Sequence, residues 1–162
     1  MHDGICKKGD NMTKNQMKAE KYLKKIQDVE RVLNNKRDEL EALRYKASGA
    51  GAIRYDKDRV QTSPQDYLAM AMNDIIEIEK QIEEDETSIE QLKGEAYAIV
   101  RVMEHPEHRA LIEWFYLNGI SMPETAQRMN MSERSAYYLK DDALEYFGAI
   151  MRNLRNIADD FN

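Results

Sequence analysis

Residues 66–104 read DYLAMAMNDIIEIEKQIEEDETSIEQLKGEAYAIVRVME. Leu68, Ile75, Ile82, Ile89, Ala96 and Met103 recur every seven residues, and Ala71, Ile78, Asp85, Leu92 and Ile99 follow three places later. Ten of these eleven positions are apolar, which is an a/d heptad and predicts a long helix with a coiled-coil seam. At ~1.5 Å per residue such a helix is about 58 Å long. Asp85 is the polar position in the seam. Gly94 weakens the helix by roughly 1 kcal/mol relative to Ala, which gives the helix a point where it can bend.

Working back from this stretch, residues 14–46 carry the same repeat at Ile26, Leu33 and Leu40, with Val29 and Leu43 three places on and Lys36 as the polar d position. Lys36 is expected to lay its methylenes on the seam and keep its ammonium in water. Residues 47–65, with small residues, alternating Arg54, Asp56, Lys57, Asp58 and Arg59, and a terminal Ser63-Pro64, predict a connector. Residues 14–46 hold ten Lys and Arg against six Asp and Glu, whereas residues 77–90 hold seven acids and Lys80 alone. Opposite charge on two helices joined by one connector favours folding back into an antiparallel hairpin. Before it, Met12-Thr13-Lys14 reads as a natural start, and residues 1–13 are expected to be a disordered extension.

Beyond residue 104 the pattern changes. His105-Pro106 ends the long helix, because the residue before proline leaves the helical region and proline has no N–H. Residues 107–117 predict a short helix with Leu111, Ile112, Trp114 and Phe115 on a wide apolar face, stopped by Asn118-Gly119. Ser121-Met122-Pro123-Glu124 fits a capping box, with Ser121 as the cap and Glu124 reaching back to its N–H. The helix it starts, residues 122–129, is expected to bury Ala126 and Met129. Asn130 suits a left-handed turn, Met131 plugs the turn, and Ser132 caps a further helix with an inward stripe of Ala136, Leu139, Ala143, Leu144 and Phe147. Gly148 is expected to loosen this helix before a tail helix through Ile150, Leu154, Ile157 and Phe161.

A cap, a two-turn helix, a short turn and a second capped helix are the spacing of a helix-turn-helix, whose second helix enters the major groove. Subtracting the inward stripe leaves Glu133, Arg134, Ser135, Tyr137, Tyr138 and Lys140 facing out near its start. The candidate DNA-binding residues are therefore Arg128, Ser132, Arg134, Ser135, Tyr137, Tyr138 and Lys140. Arg134 can take a guanine edge or a phosphate, the hydroxyls can donate to bases, the tyrosine rings can meet a thymine methyl, and Arg128 and Lys140 suit phosphates.

The whole chain has 162 residues, 24 Lys and Arg, 30 Asp and Glu, and a net charge of -6. An acidic total argues against a polyanion partner, but residues 77–90 alone account for it. Residues 105–162 are still net -3, with Asp141 and Asp142 directly after Lys140. No run approaches the ~18 apolar residues of a membrane span, no signal segment opens the chain, and a lone Cys6 suits a reducing compartment. A soluble cytoplasmic protein is expected. No glycine-rich phosphate loop, nucleophile elbow or metal-ligand cluster occurs, and His105 and His108, three apart, are expected to be surface residues without a third ligand. Neither catalysis nor a cofactor is expected.

Residues 120–144, ISMPETAQRMNMSERSAYYLKDDAL, resemble the helix-turn-helix of sigma factor region 4, with Glu124, Ala126, Ser132 and Ala143-Leu144 at matching places. The longer order of lysine-rich helix, connector AIRYDKDRVQTSP, acidic helix and this module is similar to the ArpU/RinA-type late transcriptional regulators of phages and prophages of Gram-positive bacteria. The resemblance spans residues 12–147. It implies a small helical DNA-binding protein that switches on late genes; promoter DNA and host RNA polymerase are the partners expected here, with the hairpin serving for polymerase contact or homodimerisation. Asp141-Asp142 departs from the more basic pattern of sigma-like modules. The fold expected is all-α: a long antiparallel coiled-coil hairpin (14–104), then the helix-turn-helix module with its tail (105–162). Two other readings fit the same elements: a small terminase subunit for DNA packaging, and a sigma-like module that binds RNA polymerase without contacting DNA independently.

Overall fold

The computed structural model describes residues 12–49 and 64–160; most of the connector and of the N-terminal extension lies outside them, as do Phe161 and the Ile157 side chain of the expected tail stripe. The described residues form α1 (Lys14–Ala47), α2 (Pro64–Val102), α3 (Pro106–Leu111) running on as a π-helical segment (Ile112–Leu117), α4 (Met122–Arg128) and α5 (Glu133–Asp160), with no strand among them. The protein is all-α, as the periodicity requires, and α1 and α2 pack as a helical hairpin. No helix among the described residues is long and apolar enough to cross a membrane.

The chain divides into two compact units that do not follow the expected boundary at residue 105: one holds residues 28–92, the other the described parts of 1–27 and 93–162. The reason is burial. Ala19, Leu23 and Ile26 of α1 are fully buried in the same unit as Ala96 and Val100 of α2, Leu111, Ile112, Tyr116 and Leu117 after it, and Ala143, Leu144 and Phe147 of α5. Each of Leu23 and Ile26 contributes about 1.5–3 kcal/mol by leaving water, so the helix-turn-helix is built onto the base of both long helices.

In the 28–92 unit the heptad holds. Leu33, Leu40, Ile75, Ile82 and Ile89 are buried, and Val29, Leu43, Ile78 and Leu92 are half-buried. The two polar seam residues find each other: Lys36 Nζ lies 2.6 Å from Asp85 Oδ2, with the two side chains 24% and 27% exposed. Lys36 thus turns inward to an acid, where water was expected. Arg37–Glu86 at 2.7 Å and Arg44–Glu79 at 2.6 Å line the rim, so the opposite charges of the two segments are used in pairing. Together these pairs set an antiparallel register with Leu33 level with Ile89 and Leu40 level with Ile82. Leu68, expected in the seam, is 49% exposed, because α1 ends at Ala47, which this register places level with Ile75.

Four local expectations need correcting in the other unit. Thr13 is not extension: its Oγ1 accepts from the Gln16 N–H at 3.1 Å while its own N–H donates to Gln16 Oε1 at 2.8 Å, a complete capping box for α1. The helix after Pro106 widens to a π-helical form, closed by Asn118 N–H to Glu113 O at 2.8 Å and Ile120 N–H to Trp114 O at 2.9 Å, with Gly119 at φ +65° making the predicted stop. Gly148 does not loosen α5, which is unbroken to Asp160. A Cβ there would lie 2.3 Å from the Asn15 carbonyl oxygen, so this glycine lets α1 start directly against α5. α2 is likewise continuous through Gly94, whose missing Cβ faces open space.

The two glycines should therefore respond oppositely to alanine. Gly94→Ala should raise stability by up to about 1 kcal/mol through helix propensity, and Gly148→Ala should lower it by about 1–3 kcal/mol through overpacking, both read from urea unfolding. In the hairpin, Lys36→Leu alone should destabilise by leaving Asp85 half-buried without its cation. The double variant Lys36→Leu/Asp85→Leu should recover stability to the wild-type level or above it, because paired charges in a seam contribute specificity more than stability. A double variant that melts below both singles would contradict this.

Candidate nucleic-acid interface

The helix-turn-helix assembles as its spacing dictates. Ser121 Oγ accepts from the Glu124 N–H at 3.4 Å and caps α4. The Glu124 carboxylate does not close the box; it accepts from Arg128 Nη2 at 2.8 Å, one turn along the same helix. Asn130 takes φ +54° and the Met131 N–H reaches the Ala126 carbonyl at 3.0 Å, which turns the chain between the helices. Met122, Ala126 and Ala136 form the small core, with Phe115 and Met131 packed on it, so Met131 plugs the turn as expected. Met129 is only partly buried, and Thr125, not singled out in the sequence, is fully buried.

Ser132 caps α5: its Oγ accepts from the Ser135 N–H at 3.1 Å and lies 2.9 Å from Ser135 Oγ. Both serine hydroxyls are thus spoken for within the cap, although both residues remain exposed. Arg134, Tyr137 and Tyr138 stand out from the first two turns. Nε and Nη2 of Arg134 each donate to Tyr138 Oη at 3.3 Å, and its guanidinium carbon lies 5.8 Å from the Tyr138 ring centre. The tyrosine thereby restricts the orientation of the arginine, so a contact made by this guanidinium would cost less side-chain entropy than one made by a free arginine. Tyr137 and Tyr138 are 50% and 45% exposed.

Lys140 is placed differently from a free phosphate contact. It is 17% exposed, lies 3.7 Å from Glu20 and 3.9 Å from Asp141, and sits 5.7 Å from the Tyr137 ring centre. Glu20 of α1 draws it in, and no local signal in the sequence could have paired residues 120 apart. Arg128 also has a partner outside its helix, 5.9 Å from the centre of the Trp114 ring.

The start of α1 sets the length of the open face. Gln16 Nε2 donates to the Asp141 carbonyl at 3.0 Å, Asn15 Nδ2 donates to Glu145 Oε1 at 2.7 Å, and Thr13 bonds the other Glu145 oxygen. The outward face of α5 is therefore free over residues 133–138, and the start of α1 meets the helix at Asp141, Glu145 and Gly148. Asp141 and Asp142 both stay solvent-exposed.

His108 is not a surface residue. It is 8% exposed, its Nδ1 has no hydrogen-bond partner among the described residues, and its ring packs with those of His105 and Tyr146 at centroid distances of 4.9 and 5.0 Å. Burial, then the neighbouring His105, pushes its pKa below the ordinary 6.5, against weaker opposing effects of Asp142 and Glu107. No group of three or more His, Cys, Asp or Glu side chains among the described residues is arranged to hold a metal ion. No family model, curated protein or solved structure matches the chain.

Because the folded state resists charging His108, the unfolded chain binds the proton more readily, and stability falls as pH drops below about 6.5. Urea unfolding from pH 7.5 to about pH 5.5 should show that decline in the wild type, with a slope no steeper than about 1.4 kcal/mol per pH unit for this one proton. His108→Leu should flatten it; an unchanged slope would mean that other groups carry the dependence.

Proposed function

We propose that the protein is a DNA-binding transcriptional regulator that reads the major groove with the first two turns of α5. The observation that carries this reading is the exposed Arg134–Tyr138 pair, with Tyr137 beside it, at the start of a capped second helix of a helix-turn-helix. Base readout by such motifs uses the N-terminal residues of the recognition helix, which are the residues α1 leaves uncovered. The resemblance of residues 12–147 to late transcriptional regulators of phages supports the same reading and points to promoter DNA and host polymerase as partners.

A second reading, in which the sigma-like module binds polymerase alone, draws on the exposed Asp141 and on the engagement of Lys140 by Glu20, which leave few free cations beside the recognition helix. Selection of binding sites from random duplexes separates the two. The wild type should enrich a discrete motif. Arg134→Ala/Tyr138→Ala should lose about 1–3 kcal/mol of discrimination for each base it no longer reads while its thermal unfolding is unchanged. Enrichment of the same motif with the same affinity by the double variant would exclude this face as the reader.

A further inference from the structure

Eight of the ten cations of α1 lie between its two end lysines, Lys14 and Lys46, and fall into two groups. Lys24, Arg31, Lys36, Arg37 and Arg44 each pair with a carboxylate, either on α1 or on α2. Lys18, Lys21 and Lys25 do not pair with any described carboxylate, and they share one face of α1 at spacings of three and four residues. That face borders a groove of about 330 Å³ whose opposite wall is the distal part of α5, which brings Arg152 and Arg155. Gly148 lies in the groove, at the place where its missing side chain lets the two helices meet. Five exposed cations thus line one groove with no carboxylate among its lining residues, in a chain whose net charge is -6. An anion in the groove offsets their mutual repulsion.

We propose that this groove between α1 and α5 is a second DNA contact, binding the phosphodiester backbone independently of base sequence; it rests on the reading of the protein as a DNA binder. The spacing suits a strand better than a single small anion. Lys18 to Lys25 spans about 10 Å of helix, which matches about three phosphates of one strand at ~3.4 Å each along the duplex axis. The groove also lies on the correct side of α5. Arg134 and Arg152 are eighteen residues apart, five helical turns, so they point the same way about 27 Å apart, less than one turn of B-DNA. Between them the Glu145 carboxylate is held by Thr13 and Asn15. The groove supplies the phosphate neutralisation that the recognition helix lacks, since Lys140 is engaged by Glu20.

The test measures the affinity of the full chain for a random-sequence duplex across a salt series, with four sets of variants. Lys18→Gln/Lys21→Gln/Lys25→Gln should weaken binding at least tenfold at about 0.1 M salt and reduce the slope of log K against log salt by roughly two to three, at ~0.9 for each phosphate left without its cation. Arg152→Gln/Arg155→Gln should act in the same direction with a smaller reduction of the slope. Arg31→Gln/Arg37→Gln/Arg44→Gln removes as much charge from the same helix, at paired positions, and should leave the slope unchanged. The proposal is overturned if the groove variants keep the wild-type slope, or if the control set lowers it equally. Arg134→Ala/Tyr138→Ala keeps the groove intact, so it should lose motif selectivity and retain the slope. If the wild type binds no duplex at any salt, the DNA-binding reading itself fails, an outcome distinct from a wild type that binds with a groove that does not matter.

Discussion

The backbone of Asn15 rests against Gly148, where a Cβ would lie 2.3 Å from the Asn15 carbonyl oxygen. That one close approach seats the start of α1 on α5, and much of the unit follows from it. Thr13 and Asn15 reach Glu145, Gln16 reaches the Asp141 carbonyl, and Glu20 reaches Lys140. Ala19, Leu23 and Ile26 then go fully into the core, and Gln27 Nε2 donates to the Phe115 carbonyl at 2.9 Å at the far end of that contact. The helix-turn-helix is therefore fixed to the hairpin helices by apolar burial and by hydrogen bonds along almost four turns. The same contact bounds the free face at the start of α5, residues 133–138, and borders the basic groove lined by Gly148, Arg152 and Arg155.

Electrostatics does separate work in the hairpin. Apolar layers at Leu33, Leu40, Ile75, Ile82 and Ile89 provide the drive to pair, but heptads repeat and can slip by seven residues. Lys36 and Asp85 meet only in one register, since a slip would leave two half-buried charges unmatched, each at a cost well above that of an exposed one. Arg37–Glu86 and Arg44–Glu79 lie at the more exposed rim, where each contributes about 0.2–1 kcal/mol. The acidic surplus of residues 77–90 is thus concentrated on a coiled-coil surface, while residues 105–162 carry a smaller net charge of -3 of their own.

The fold was legible because it rests on periodicity. The heptads, the break at His105-Pro106, the stop at Asn118-Gly119 and the caps at Ser121 and Ser132 are short-range signals, and each formed where its chemistry required. The candidate site was legible in part: Arg134, Tyr137 and Tyr138 stand exposed as subtraction of the inward stripe predicts, and Arg128 and the two serines remain at the surface. Lys140 did not stay free, because its fate is set by Glu20, which no sequence spacing connects to it. The Thr13-Gln16 box is legible in its T-x-x-Q pattern, although it overlaps the residues expected to form an extension.

The sequence by itself determined an all-helical chain, its two long amphipathic helices and the capped pair after Ser121, since all of these depend on residues within about one or two turns of each other. Tertiary structure decided what those elements do to one another. It showed that Gly148 is a contact and not a break, that His108 is buried, that Lys36 and Asp85 are partners, and that Lys18, Lys21 and Lys25 share a groove with Arg152 and Arg155. Each of these depends on residues far apart in the chain, and only packing sets such distances.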